Sequence, residues 1–332
     1  MREAPDVHGR DILERLETDY GLSATEIVFL PIGADLGSAS FRVMEHGGDQ
    51  YFLKLRRGRF HPGAVTIPHW LAGRGMKPII PPIATRTTGA LWTPLGTFTL
   101  ILYPFVTGKS GWEVELSPRN WQDLGMGMST LHGAALTPEM ALDIPRETYS
   151  AVWRDRVAAF LEAVPRQTFE DPVARALAER IQERRAVIEH IVRRAEELGE
   201  ILARQPPDAC LCHGDLHAGN VLIDETGRLF IVDWDTLILA PKERDLMFIG
   251  GGVGGAWNRE DEAEWFHEGY GRCDIHRPAL AYYRCERIVQ DIAEICDALL
   301  AGSIGGEDRA ALLEMLSSQF EPANVVEIAC AT

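Results

Sequence analysis

The sequence predicts an α+β chain in which an N-terminal antiparallel β-sheet lobe precedes a larger helical lobe. Three observations carry that expectation. Before residue 104 the apolar residues fall in short runs broken by glycine-bearing turns. Beyond residue 111 they recur at three- and four-residue steps over much longer stretches. Between two of those helical stretches stands a loop and hairpin, residues 211–235, dense in aspartate, histidine and asparagine.

The elements follow in order. Asp11 to Tyr20 reads as a short amphipathic helix with Ile12, Leu13 and Leu16 on one side, ended by Gly21. Four β-like runs come next, "EIVFLPI", "SFRVME", "QYFLKL" and "TFTLILYPFV", with turns at "EHGGD" and "TTGAL". "PIIPP" suits a crossing loop, because each proline removes a ladder donor. After "VTGKSG" the spacing becomes helical, through Trp121, Leu124, Met128 and Leu131, then Ala151 to Ala163 and Pro172 to Leu202. "RQPPDA" breaks that run, and "VLIDETGRLFIVDWD" reads as a hairpin turning at "ETG". From Arg259 onward Trp265, Phe266, Ile288, Ile292, Ile295 and Leu299 keep helical spacing. The expected division is a first lobe at 1–103, a linker at 104–110 and a helical lobe at 111–332.

Composition narrows the function. A net charge of -16 disfavours a nucleic-acid or anionic-membrane partner, which would have to be met by clustered lysine and arginine. A small cationic substrate suits the sign. No apolar leader and no stretch of about 18 uncharged apolar residues occurs, so a cytoplasmic location is expected. The six cysteines are too sparse and uneven for a disulfide framework. Cys210 and Cys212 flank a single residue, but no second close pair completes a zinc tetrad, so buried free thiols are the expectation.

"LCHGDLHAGN", residues 211–220, admits three readings. As a metal cage it would use His213, Asp215 and His217, yet His267 and His276 are isolated elsewhere. As a metallophosphoesterase signature, "GDLH" lacks the further aspartate and histidine motifs that a two-metal site needs. As a kinase catalytic loop it requires an aspartate for the substrate hydroxyl, an asparagine five residues on for magnesium, and a metal-binding aspartate on the next hairpin. Asp215, Asn220 and Asp233 stand in that order, with His213 as a structural support of the loop.

"CHGDLHAGNVLID" followed by "FIVDWD" resembles the two active-site motifs of the aminoglycoside phosphotransferase family, whose fold is similar to that of protein kinases. "LAPKERDLMFIGGGVGGAWN", "FHEGYG" and "YYRCERIVQDIA" look close to the spectinomycin phosphotransferases within it. The resemblance implies a bilobal protein-kinase-like fold. It also implies ATP and Mg2+ as cofactors, with residues 1–103 as the nucleotide-binding lobe and 111–332 as the catalytic and substrate-binding lobe.

Such a site needs a lysine on the third strand, and Lys54 in "YFLKL" occupies that place; it is one of only four lysines. "GADLGSASF" stands where the phosphate-covering turn belongs, and Ser38 with neighbouring N–H groups would cradle the phosphates. Pro104 can offer only its carbonyl and Val106 an N–H, which suits adenine as a donor and acceptor pair. Between Phe60 and Lys77 there is no acidic residue, so the helix glutamate that pairs with the lysine in protein kinases has no counterpart there.

"GGGVGG", residues 250–255, matches a dinucleotide fingerprint in form but is followed by a helix rather than a second strand. In "KERD", Arg244 and Asp245 are expected to form an ion pair anchoring the loop, with Lys242 and Glu243 solvated. For a cationic aminocyclitol the acceptor side calls for carboxylates: Asp235, Glu268, Glu286 and Asp291 are the candidates, with Trp257 as an apolar wall. Arg287 and Asp291, four residues apart, can also pair with each other on the surface. The function expected is ATP-dependent phosphorylation of an aminocyclitol hydroxyl, most specifically on spectinomycin. The alternatives are a kinase of another amino alcohol or sugar, and a non-catalytic binding protein on the same fold.

Overall fold

Alternating burial along the early strands gives the sheet two unlike faces, one apolar and one carrying charge. The computed structural model describes residues 5–32, 37–58, 60–300 and 306–332. The first element among the described residues is α1 (Gly9–Arg15), continued by a π-helical turn over Leu16–Tyr20. Strands β1 (Ala24–Leu30), β2 (Ser38–Glu45) and β3 (Gln50–Arg57) lead to α2 (Gly63–Gly73). Then come β4 (Thr93–Leu95), β5 (Phe98–Pro104) and β6 (Gly108–Ser110). Helices α3 (Pro118–His132), α4 (Pro138–Leu142), α5 (Val152–Ala163) and α6 (Pro172–Arg204) follow. Next are β7 (Cys210–Cys212), the hairpin β8 (Val221–Asp224) and β9 (Leu229–Ile231), and β10 (Ile238–Ala240). Helices follow: α7 (Glu243–Leu246), α8 (Glu260–Tyr270), α9 (Arg277–Leu300), α10 (Gly306–Ser318) and α11 (Val325–Ala331).

Two compact units result. The first comprises residues 1–114, 135–144 and 220–237, and the second 115–134, 145–219 and 238–332. This differs from a single cut at 104–110, and hydrogen bonding supplies the reason. β6 pairs with β8, Gly111 N–H bonds Val221 C=O, and Ile231 N–H bonds Pro78 C=O, so the hairpin is tied into the first unit. The predicted crossing loop "PIIPP" thus serves as a backbone partner of β9.

In the first unit the antiparallel sheet runs in the order β1-β2-β3-β5-β4. Leu53 and Leu55 of β3 are fully buried with Leu100 and Leu102 of β5 and Ile12 and Leu16 of the N-terminal helix. Period two then sends Lys54 and Arg56 to the opposite face.

In the second unit α5, α6 and α9 share a core that includes Val157, Leu177, Ile188, Ile292 and Ile295. α3 starts with a reciprocal cap in which Ser117 and Asn120 bond each other's backbone N–H. It crosses α8 at two glycines. A Cβ on Gly269 would fall 2.0 Å from the Gln122 carbonyl oxygen, and one on Gly125 2.2 Å from that of Phe266. "FHEGYG" therefore encodes a close helix crossing. All six cysteines are free thiols, and among the described residues no helix is long and apolar enough to cross a membrane.

Candidate active site

In the first unit a charged cluster forms where β3 meets the segment after β9. Lys54 Nζ lies 2.9 Å from Asp233 Oδ1 and 2.6 Å from Asp235 Oδ2. Arg56 Nη1 donates to the same Asp235 oxygen at 2.5 Å and to Ser38 Oγ at 3.2 Å. Burial works to lower the Lys54 pKa, but Asp233 and Asp235 overcome it and hold the ammonium above its ordinary value. The acid missing from α2 is thus supplied by the hairpin's exit. Asp235, expected on the acceptor side, fastens Lys54 and Arg56.

Asp233 adopts φ +61°, a left-handed conformation uncommon for any residue but glycine, and its carboxylate stays about half exposed. Strain of this kind collects at functional sites. Asn220 is buried in a short 3-10 turn, and its carbonyl accepts from Val232 N–H at 2.9 Å, which ties the segments carrying Asn220 and Asp233 together. A carboxylate and a carboxamide oxygen are the hard donors magnesium takes, so the donor set fits that ion. Ser38 opens β2, Pro104 closes β5, and Val106 follows it half-buried. Residues 33–36 of "GADLGSASF" lie outside the described residues.

In the second unit β7 delivers the loop that carries Asp215. His213 is fully buried, and Gly214 takes φ +86°, a turn that glycine adopts at little cost. Asp245 accepts from two successive backbone donors of the loop, His213 N–H at 2.8 Å and Gly214 N–H at 2.7 Å, and pairs with His132 Nε2 at 3.0 Å. So Asp245 does anchor the loop, but through these donors; Arg244 packs over the ring of Tyr283. Glu243 is also buried rather than solvated, accepting from His276 N–H at 2.9 Å.

Asp215 itself is flanked by two basic groups. Arg287 Nη1 donates to its Oδ1, and His217 Nε2 stands 3.5 Å from Oδ2. Because His217 Nδ1 accepts from Gly219 N–H at 3.0 Å, the ring proton belongs on Nε2, facing Asp215. Burial pushes the Asp215 carboxyl up, yet His217 and Arg287 outweigh it and hold it well below the usual carboxylate range.

The acceptor-side expectations divide. Trp257 is buried, with φ +58° and its ring edge-on to Trp121 at 5.0 Å, and Glu268 accepts from Gln122 Nε2 at 2.7 Å in an exposed position. Glu286 departs from expectation: it is buried in an ion pair with Arg154 at 2.5 Å, whose other arm bonds the Tyr149 carbonyl. Asp291 departs too, lying 2.8 Å from Arg287 and accepting from Gln319 Nε2, in an interior pair rather than a surface one. On α9 each of these acids faces an arginine, Glu286 in a buried position and Asp291 in a partly buried one. Arg56, Arg287 and His217 were not singled out by sequence as partners of the central acids. Arg56 had one signal, its position two residues from Lys54 on a strand.

The comparisons with known proteins agree with this architecture. The model of the phosphotransferase enzyme family matches residues 28–283. A crystal structure of a spectinomycin phosphotransferase in complex with ADP and spectinomycin is 34% identical, with a TM-score of 0.92 over 98% of this chain and 99% of that one. An AMP-bound crystal structure of a spectinomycin phosphotransferase is 33% identical, with a TM-score of 0.87 over the same shares. An aminoglycoside phosphotransferase from Alicyclobacillus acidocaldarius, 14% identical with a TM-score of 0.65 over 99% and 96% of the two chains, shares the fold. No curated protein matches significantly.

Proposed function

Since the chain belongs to the phosphotransferase enzyme family, we propose that it transfers the γ-phosphoryl group of ATP to a hydroxyl of an aminocyclitol antibiotic, spectinomycin. That it is a small-molecule phosphotransferase follows from the family and the near full-length likeness. The acceptor is the proposal. The observation that carries it is the 34% identity over 98% of the chain to an enzyme that binds spectinomycin together with ADP.

The residues suit the chemistry. In phosphoryl transfer the protein mainly positions groups and neutralises charge. Lys54, held by Asp233 and Asp235, would bind anionic phosphate oxygens, and Ser38 with adjacent N–H groups would assist. Pro104 C=O and Val106 N–H would receive the adenine edge. Asn220 and Asp233 would hold Mg2+, which when bound offsets the charge of the β- and γ-phosphates.

Asp215 would orient the acceptor hydroxyl and take its proton as the new O–P bond forms and ADP leaves with the electrons of the bond that breaks. A carboxylate held so firmly ionised is a weak ground-state base. It therefore acts late, once the hydroxyl oxygen has bonded to phosphorus and become acidic. Arg287 and His217 would set its direction. Trp257 and Glu268 would contact the drug, the carboxylate receiving one of its ammonium groups.

The test is mass spectrometry of spectinomycin incubated with the protein, ATP and Mg2+. One added phosphoryl group is expected. Unchanged spectinomycin beside phosphorylation of another amino alcohol or sugar would overturn the acceptor and keep the family.

A further inference from the structure

We propose that His132, Cys210 and Cys212 form a binding site for a thiophilic divalent cation of the zinc type, apart from the residues assigned to phosphoryl transfer. The ligand atoms of these three side chains all lie within 4.8 Å of one another. The inference rests on this cluster alone and not on the acceptor proposed above.

The geometry is that of a tetrahedral edge. Two sulfurs each bound at about 2.3 Å to one tetrahedral ion stand about 3.8 Å apart. The Sγ atoms of Cys210 and Cys212 are separated by 3.8 Å. Their spacing in the chain produces this, because residues two apart on a strand point to the same side, and β10 keeps β7 extended through the pairs Ala240 with Cys210 and Ile238 with Cys212.

With Nδ1 as the coordinating atom, the third ligand stands in the tautomer that coordination needs. Asp245 lies 3.0 Å from His132 Nε2, and a carboxylate there fixes the ring proton on that nitrogen. The Nδ1 lone pair is then the acceptor for the Tyr270 hydroxyl at 2.7 Å. A cation would replace that hydroxyl proton at Nδ1. The outcome is a carboxylate, histidine and metal relay of the kind that orients metal-bound imidazoles.

The charges balance. The two thiols give their protons to solvent, and two thiolates with a neutral imidazole cancel the charge of one divalent ion, which water completes as fourth ligand. Cys210 is partly exposed and provides the entry, whereas Cys212 is buried beneath it. The sequence alone left the cysteine pair without further ligands, because the histidine comes from the last turn of α3, far away in the chain.

The test uses the full chain, reduced and freed of metal, titrated with Co2+ and then Zn2+. One equivalent of Co2+ is expected to give a thiolate-to-cobalt charge-transfer band, which Zn2+ bleaches. Cys210→Ser and Cys212→Ser should each cut the band to half or less. Cys210→Ser, at the partly exposed position, keeps the test decisive where the buried variant does not fold. Absence of the band in the native chain, or its persistence at full intensity in Cys210→Ser, would overturn the site.

Discussion

Arg287, projecting from α9, donates a hydrogen bond to Asp215 and at the same time lies 2.8 Å from Asp291. One guanidinium thus stands between two carboxylates that burial alone would push toward protonation. Their responses differ. Asp215 is held below the ordinary range, while burial leaves the Asp291 carboxyl raised despite the arginine.

Removing that guanidinium should alter the pH profile and also lower stability, because the partly buried Asp291 carboxyl loses its partner. In Arg287→Gln the carboxyl of Asp215 loses one of its two lowering partners, so its pKa rises. The acid limb of kcat, which Asp215 in the native chain keeps below the usual carboxylate range, should move up toward that range. An acid limb identical to that of the native enzyme would show that Arg287 does not set the charge of Asp215.

Asp245 should govern stability at low pH. Burial opposes its ionisation, but His132, His213 and the Gly214 N–H together lower its pKa. A carboxyl lowered in the folded state contributes stability that is present above its unfolded value, about 3.9, and is lost as pH falls through the folded value. Asp245→Asn replaces one acceptor oxygen with a donor facing a backbone N–H. It should cost about 1–3 kcal/mol in urea denaturation at pH 7, and the variant should lose less stability than the native chain on acidification. Equal denaturation midpoints at pH 7 would contradict the anchoring role.

Lys54 and Asp233 should separate in kinetics. Lys54→Ala is expected to lower kcat/KM for ATP by about 10²-fold or more, as the loss of a donor aimed at developing charge does. Asp233→Asn should additionally weaken the dependence of rate on Mg2+ concentration. A native Mg2+ titration curve in Asp233→Asn would remove it from the metal site.

The helix crossing sets a steric limit that bears on folding. Gly269→Ala places a methyl 2.0 Å from the Gln122 carbonyl oxygen, so α3 and α8 must part. A destabilisation of about 1–3 kcal/mol is expected, read as a lower denaturation midpoint. An unchanged midpoint would mean that the two helices shift apart without cost.

How much could be read in advance follows from the range of each interaction. Strand and helix positions were legible because burial repeats every two or about 3.6 residues, and Lys54 could be placed on β3 for that reason. Loop roles read from spacing rest on short stretches, as with Asp215, Asn220 and Asp233. The partner of Lys54 was not legible, because Asp233 lies 179 residues away and only the docking of the hairpin against β3 brings it near. The same applies to Arg287 beside Asp215 and to His132 beside the thiols of β7. Glu286 and Asp291 looked available for a cationic ligand because a sequence shows charge but not the arginine facing it. Local periodicity, which needs only neighbouring residues, determined the element types, and the resemblance of two short motifs to those of a known family pointed to the phosphotransferases. Which charges pair, which are buried and which histidine tautomer is held were decided by tertiary structure, because those depend on distances across the fold that no stretch of chain encodes alone.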